Sequence, residues 1–169
     1  LAAAGHANAE RVREEVVGIV KEQIGQSFAC AEIMITAEVK GEDKALAASL
    51  EQMIADAGLG NRIRFTGHVT DMAGVYAALD VVVAPSLWEG FGLMRIEAMA
   101  AGRAIIASRV GAIPEVVREN ETALLVSPDA PEELAAAMQR LADDSGLCGR
   151  LGKAGTIHQA QFSWARAAD

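Results

Sequence analysis

Short apolar runs alternate along the chain with longer amphipathic stretches. Most of these runs are apolar on both faces, which is typical of parallel strands covered by helices on each side. Five runs predict β-strands: Ile33-Met34-Ile35, Ile63-Arg64-Phe65, Val81-Val82-Val83-Ala84, Ala104-Ile105-Ile106-Ala107 and Ala123-Leu124-Leu125-Val126.

The segments between these runs predict helices, because their apolar residues recur on one helical face. The predicted helices cover residues 10–23, 44–57, 131–141, 147–161 and 163–168. Strands alternating with helices predict right-handed βαβ units, and therefore an α/β domain over residues 1–169 with one doubly wound parallel sheet. In such sheets ligands bind beyond the carboxyl ends of the strands, so the loops there are expected to carry the chemistry.

Composition and charge narrow the classes of ligand. The chain is 51% hydrophobic and 22% charged, which excludes a disordered tail, and 15 Lys+Arg against 23 Asp+Glu give a net charge of −8. Binding to nucleic acid is not expected, since it needs clustered cations. Two separated cysteines and three scattered histidines predict neither a disulfide framework nor a metal site. The absence of a signal-peptide pattern favours a cytoplasmic location.

The loop after the third predicted strand carries the most informative pattern, Glu89-Gly90-Phe91-Gly92-Leu93. One glycine on each side of Phe91 allows a tight turn and a close approach of the backbone to a ligand. A helix that begins near Leu93 directs its first free N–H groups into the ligand crevice. That arrangement is an anion site that needs no cation, in keeping with the acidic composition.

Two carboxylates accompany this anion site. Glu97 lies one helical turn after Leu93 on the same face, and its side chain tilts toward the helix N-terminus. A diphosphate bound at Leu93 and Met94 would leave Glu97 positioned to accept hydrogen bonds from sugar hydroxyls. Glu89 would approach the same anion from the opposite side. The pair suits a ligand rich in phosphates and hydroxyls, namely a nucleotide sugar.

The spacing alone also allows simpler interpretations. Glu97 would equally suit an ordinary solvated position on a helix, and Glu89 an acid that stabilises the helix dipole. Trp88 and Phe91 are more typical of packing residues than of stacking platforms. Arg95 is expected to be exposed, because it stands two positions away from the helical face of Glu97.

Residues 86–102 resemble the E-x7-E segment of retaining glycosyltransferases of the family-4 type, whose GT-B fold consists of two facing Rossmann-like domains. The motif reads Glu89-Gly90-Phe91-Gly92-Leu93-Met94-Arg95-Ile96-Glu97 and is followed by Ala98-Met99-Ala100-Ala101-Gly102. The resemblance covers roughly residues 44–168 in the family's order. Its other parts are residues 62–69, 76–81, 107–115, 122–126, 150–152 and 162–164.

The resemblance implies a role for the chain and for each residue of the motif. The chain would be the C-terminal, donor-binding half of a GT-B fold, a single Rossmann-like domain that binds a nucleoside-diphosphate sugar without a cofactor or divalent metal. The acceptor would be a glycan, a lipid or a small molecule. The catalytic residue implied is Glu89, in contact with the transferred sugar near its reacting carbon. Glu97 would bind the ribose hydroxyls, and the amides of Gly92, Leu93 and Met94 the distal phosphate. Gly90 and Phe91 form the turn between them, and Val69 would border the base.

The chain also departs from the family pattern. The family's Arg- and Lys-bearing phosphate loop has no match before Ala29. Lys40, in the loop after the first strand, is a candidate cation, although a solvated loop charge is the more typical interpretation. Ala112 replaces a common glycine near the sugar. The family's N-terminal acceptor domain has no counterpart in this sequence, so the resemblance predicts a truncated half that does not turn over alone. The full-length enzyme is expected to be cytoplasmic or peripheral to the inner face of the membrane. Two alternatives are half of a sugar-nucleotide epimerase and a non-catalytic nucleotide-binding module.

Overall fold

The computed structural model describes residues 33–35 and 43–162. The predicted helices over residues 10–23 and 163–168, and Lys40, lie outside these residues. The described part contains five strands and six helices. In chain order these are β1 (Ile33–Ile35), α1 (Asp43–Asp56), β2 (Ile63–Phe65), α2 (Met72–Ala78), β3 (Val81–Ala84), α3 (Leu93–Ala100), β4 (Ala104–Ser108), α4 (Ile113–Val116), β5 (Leu124–Val126), α5 (Pro131–Asp143) and α6 (Ser145–Gln159).

All paired strands run parallel, which confirms the predicted α/β class. β1 pairs with β2 in the register Ile33 to Ile63. In a second group β4 is the middle strand, with β3 on one side and β5 on the other. All five predicted strands are present: three have the predicted bounds, β4 extends one residue further to Ser108, and β5 begins one residue later, at Leu124. Ala123 forms an isolated bridge with Glu119 rather than starting β5.

The described residues group into two compact units. The first contains β1, α1 and β2, up to Thr70, together with Asp129–Ala135. Its buried apolar residues include Leu50 and Ile54 of α1 and Ile63 of β2. Gly58, in the left-handed conformation at φ 70°, ends α1 as a glycine C-cap does.

The second unit contains Asp71–Pro128 and the chain from Ala136 onward, and it carries the E-x7-E segment. Its core surrounds β4, all five residues of which are buried. A middle strand of a parallel sheet is covered on both faces, which explains why this run is apolar throughout. Met99 of α3 and Ile113 of α4 are fully buried in the same core.

Close contacts hold the C-terminal end of α3 against α6. A Cβ atom on Gly152 would overlap the carbonyl oxygen of Gly102, and one on Gly155 would lie 3.1 Å from Cγ of Met99. The Thr156 hydroxyl donates a hydrogen bond to the Met99 carbonyl at 3.2 Å. Glycine is therefore needed where the two helices meet, and α3 is fixed at the end opposite to its N-terminus.

Candidate functional site at the N-terminus of α3

The N-terminus of α3 presents free main-chain donors, as predicted. The chain enters the helix through Gly92, whose φ of 74° is left-handed and which no side chain caps. Arg95 N–H donates to the Gly92 carbonyl at 2.9 Å, whereas the N–H groups of Leu93 and Met94 have no acceptor among the described residues. A Cβ atom on Gly92 would lie 2.8 Å from Cδ1 of Ile113. Both the backbone conformation and the available space therefore require glycine here.

Glu97 is held by a tyrosine from another helix. Asp71 caps α2 by accepting the Gly74 N–H at 2.9 Å, and α2 carries Tyr76, which is 4% exposed. The Tyr76 hydroxyl donates to Oε2 of Glu97 at 3.0 Å. Burial, and then the hydrogen bond and charge of Glu97, raise the pKa of Tyr76, so the phenol remains a donor. Oε1 of the exposed Glu97 accepts no hydrogen bond from the described part of the chain.

Glu89 is held by a buried cation. Nη1 of Arg95 donates to Oε2 of Glu89 at 2.6 Å, and Nη2 donates to the Ser86 hydroxyl at 3.0 Å. The Arg95 side chain is fully buried, whereas that of Glu89 is 30% exposed. Oε1 of Glu89 has no hydrogen-bond partner within the described ranges. Both acids of the motif thus use Oε2 for a protein donor and leave Oε1 free.

The prediction that Arg95 is exposed is wrong. Arg95 stands three and four residues before Ala98 and Met99, and all three are buried. The helical period therefore puts Arg95 on the core face of α3, and its charge is accommodated by Glu89 and Ser86. The spacing of Arg95 from Ala98 and Met99 is visible in the sequence and indicates the core face, whereas its offset from Glu97 alone does not.

The loop after β4 supports Glu89 through its main chain. Gly111 has a φ of 51°, and a Cβ atom there would overlap the carbonyl oxygen of Glu89. Ala112 follows as the N-cap of α4 without a side-chain hydrogen bond. Its influence on donor preference remains a prediction. The position of Glu89 is therefore set at its backbone by Gly111 and at its carboxylate by Arg95.

The apolar residues of the loop are largely open to solvent. Trp88 is 80% exposed, so the prediction that it packs is wrong. Phe91 is 52% exposed and makes an edge contact with Phe162 at a ring-centroid distance of 6.2 Å. Gly90 is exposed and Met94 half-buried, whereas Gly92 between them is buried, so the turn lies at the surface except at Gly92.

Val69 stands apart from the other predicted site residues. It lies in the first unit, where it is half-buried, whereas the other seven lie in the second unit. Its place beside the base remains a prediction. Across the described residues, no cluster of three or more His, Cys, Asp or Glu side chains could hold a metal ion. No helix in the same ranges has the length and apolar character needed to cross a membrane.

The parallel α/β architecture matches the C-terminal Rossmann-like half of GT-B glycosyltransferases. Residues 9–144 match the model of the family described as "Glycosyl transferases group 1", and the chain belongs to that family. The resemblance inferred from the motif is thereby confirmed at the level of family and fold.

Individual relatives agree with this assignment. D-inositol 3-phosphate glycosyltransferase of Corynebacterium glutamicum is 41% identical over 118 residues, which are 69% of this chain and 28% of that protein. Sucrose-phosphate synthase of Thermosynechococcus elongatus superimposes with a TM-score of 0.78 at 33% identity, covering 92% of this chain and 40% of that one. The C-terminal domain of LpcC, a group 1 family protein of Francisella tularensis, gives 0.79 at 29% identity, covering 92% and 79%. The chain thus spans less than a third of the first relative.

Proposed function

We propose that this chain is the donor-binding domain of a retaining glycosyltransferase of the family-4 type, which transfers a sugar from a nucleoside-diphosphate sugar to an acceptor hydroxyl. One observation carries the proposal. Two unpaired main-chain donors at the start of α3 are accompanied by two acids, each with one oxygen held by the protein and one oxygen free. The family assignment and the names of the relatives, which are sugar-transferring enzymes, support it.

The roles of the residues follow from the chemistry of their free atoms. The N–H groups of Leu93 and Met94, together with the positive end of the α3 dipole, bind the distal phosphate. Gly92 lets the backbone approach it. Oε1 of Glu97 accepts hydrogen bonds from the ribose hydroxyls, and Oε1 of Glu89 faces the transferred sugar near its reacting carbon.

The reaction breaks the bond between the anomeric carbon and the diphosphate oxygen. Negative charge develops on the departing nucleoside diphosphate, and the fixed amide donors of α3 stabilise it without reorganisation. The acceptor hydroxyl attacks from the same face, so the anomeric configuration is kept, and its proton passes to the departing phosphate oxygen as the new bond forms. The proposal uses neither a cofactor nor a divalent metal and is set in the cytoplasm. Val69 borders the base.

The acceptor site belongs, in this proposal, to a second domain. Closing two domains over the donor is what excludes water and orients an acceptor. We therefore expect the 169-residue chain to bind donor nucleotides without transferring sugar. Sugar transfer by the purified chain would contradict this part of the proposal.

Calorimetric titration tests the proposal. The chain is titrated with UDP, GDP and ADP, with their sugar derivatives and with inorganic pyrophosphate, and we expect at least one nucleoside diphosphate to bind equally well with and without EDTA. Glu97→Gln should weaken that binding about fivefold, because it replaces an ionised acceptor of hydrogen bonds with a neutral one. Pyrophosphate binding should not change.

The control variant is Glu132→Gln, which makes the same change of charge at an exposed position in the first turn of α5. It should bind like the wild type. Failure of all three nucleoside diphosphates to bind a folded chain contradicts the proposal.

A further inference from the structure

Arg95 is a charged side chain in an apolar interior. Its side chain has no exposed surface, its Nε atom lacks a hydrogen-bond partner, and its guanidinium contacts Glu89, Ser86 and the Ala84 carbonyl. Burying a cation carries a desolvation cost that only a paired anion offsets. Within the described residues the anion paired with Arg95 is the carboxylate of Glu89. The two side chains therefore form one unit, of which only Glu89 reaches the surface.

This unit fixes the orientation of Glu89. Its Oε2 atom is bound by Arg95 at 2.6 Å and lies 3.5 Å from the Ser86 hydroxyl, while Gly111 packs on its main-chain carbonyl. Oε1 is the oxygen that remains for a ligand. A side chain held in this way loses little rotamer freedom when a ligand binds.

The same unit also removes a charge conflict. In the proposed function a diphosphate binds at the start of α3, and an unpaired carboxylate nearby would repel it. Nη1 of Arg95 lies 3.0 Å from the position of a Cβ atom on Gly92, so the cation stands directly behind the turn that approaches the phosphate. Positive and negative charge cancel within the pair, and Glu89 can face the sugar without repelling the diphosphate.

We infer that Arg95 is a positioning residue that acts through Glu89: it aims the Glu89 carboxylate at the donor sugar and offsets its charge beside the diphosphate. This inference rests on the proposed function. Arg95 itself touches no ligand, because it is buried beneath the turn.

The experiment compares Arg95→Met, Glu89→Gln and the double variant with the wild type. Each is titrated at low salt with the nucleoside diphosphate that binds the wild type. Arg95→Met leaves the Glu89 charge uncompensated and should weaken binding on the order of tenfold. Adding Glu89→Gln removes the repelling charge and should restore most of this loss. Glu89→Gln alone leaves an uncompensated cation and should raise the affinity roughly threefold.

A matched control is Arg150→Met on α6, which removes the cation of an exposed ion pair with Asp144, the N-cap residue of that helix. It should change the affinity by less than about twofold, as exposed pairs contribute little. If Arg95→Met or Glu89→Gln fails to fold, as judged by circular dichroism, the double variant remains as the test, because it leaves no unpaired buried charge. It should bind within about threefold of the wild type, and a tenfold loss in it overturns the inference.

The outcomes separate the inference from the proposed function. If the folded wild type binds no nucleoside diphosphate, the proposed function fails and the inference falls with it. If the wild type binds but the double variant is as weak as Arg95→Met, Arg95 acts through packing alone and the inference is overturned. A fall in affinity in Glu89→Gln overturns it as well.

Discussion

Replacement of Tyr76 by Phe removes one hydroxyl group and leaves the aromatic ring in the core. The lost hydroxyl donates to Oε2 of Glu97 at 3.0 Å. A hydrogen bond to an ionised group contributes about 1.5–3 kcal/mol. Glu97 is exposed, so water replaces the lost donor and the net effect falls below this range. We expect about 1 kcal/mol in ligand binding, which is roughly a fivefold change in the dissociation constant.

The assay is calorimetry with two ligands of the proposed site: a nucleoside diphosphate, and inorganic pyrophosphate, which has no ribose. In the proposed donor site, Tyr76→Phe should weaken binding of the nucleoside diphosphate about fivefold, because Glu97 would lose its fixed orientation toward the ribose hydroxyls. Binding of inorganic pyrophosphate, which reaches only the N–H groups of Leu93 and Met94, should stay the same. Combining Tyr76→Phe with Glu97→Gln should add little to the effect of Glu97→Gln, since both changes act on one contact.

Two results would refute this reasoning. Equal weakening of both ligands would mean that Tyr76 supports the helix terminus rather than Glu97. Full addition of the two effects in the double variant would mean that Tyr76 and Glu97 act independently. Because the hydroxyl makes its hydrogen bond to an exposed carboxylate, the melting temperature should fall by no more than about 3 °C, which serves as the folding control.

Two further predictions concern stability. Gly111→Ala should lower the free energy of unfolding by about 2–4 kcal/mol, because its φ is 51° and its Cβ would overlap the Glu89 carbonyl oxygen. The matched control is Gly149→Ala on α6, where no atom lies within 4 Å of an added Cβ, and it should be neutral or stabilising. Urea denaturation measures both variants, and an equal loss of stability in the two would contradict the close contact at Gly111. Tyr76, the single tyrosine, has a pKa raised above its ordinary 10.0, so the fold favours the protonated phenol. The stability that the protonated phenol contributes is complete below pH 10.0 and is lost as the pH rises further. Above pH 10.0 the free energy of unfolding should therefore fall more steeply in the wild type than in Tyr76→Phe. Parallel curves of unfolding free energy against pH would contradict this.

Features that depend on local pattern could be predicted from the sequence. The five strands are short, mostly apolar runs, and α3 begins at Leu93 because Gly92 supplies the left-handed residue before it. The cap of α2 is equally local, because Asp71 accepts the hydrogen bond through its own side chain from Gly74. In each case the interactions that determine the local structure join residues only a few positions apart in the chain.

Features that depend on contacts across the fold could not be predicted in the same way. Tyr76 meets Glu97 over 21 residues of chain. Gly111 meets the Glu89 carbonyl because β3 and β4 are adjacent and parallel, so the loops that follow them share one edge of the sheet. The helical period predicts the burial of Arg95. Its pairing with Glu89 depends on how the loop between β3 and α3 folds back, which the sequence does not show. Trp88 is exposed because that same loop turns outward.

If α3 binds the donor as proposed, its C-terminal contacts with α6 bear on how donor specificity can diverge among related chains. With Gly152 against the Gly102 carbonyl, α3 has no room to slide along its axis when a ligand docks at the opposite end. In the proposed site, adjustment to a differently shaped sugar therefore falls to residues 85–92, which join β3 to α3. New preferences can arise by exchanging side chains in that short connection, while the helix stays a fixed reference point.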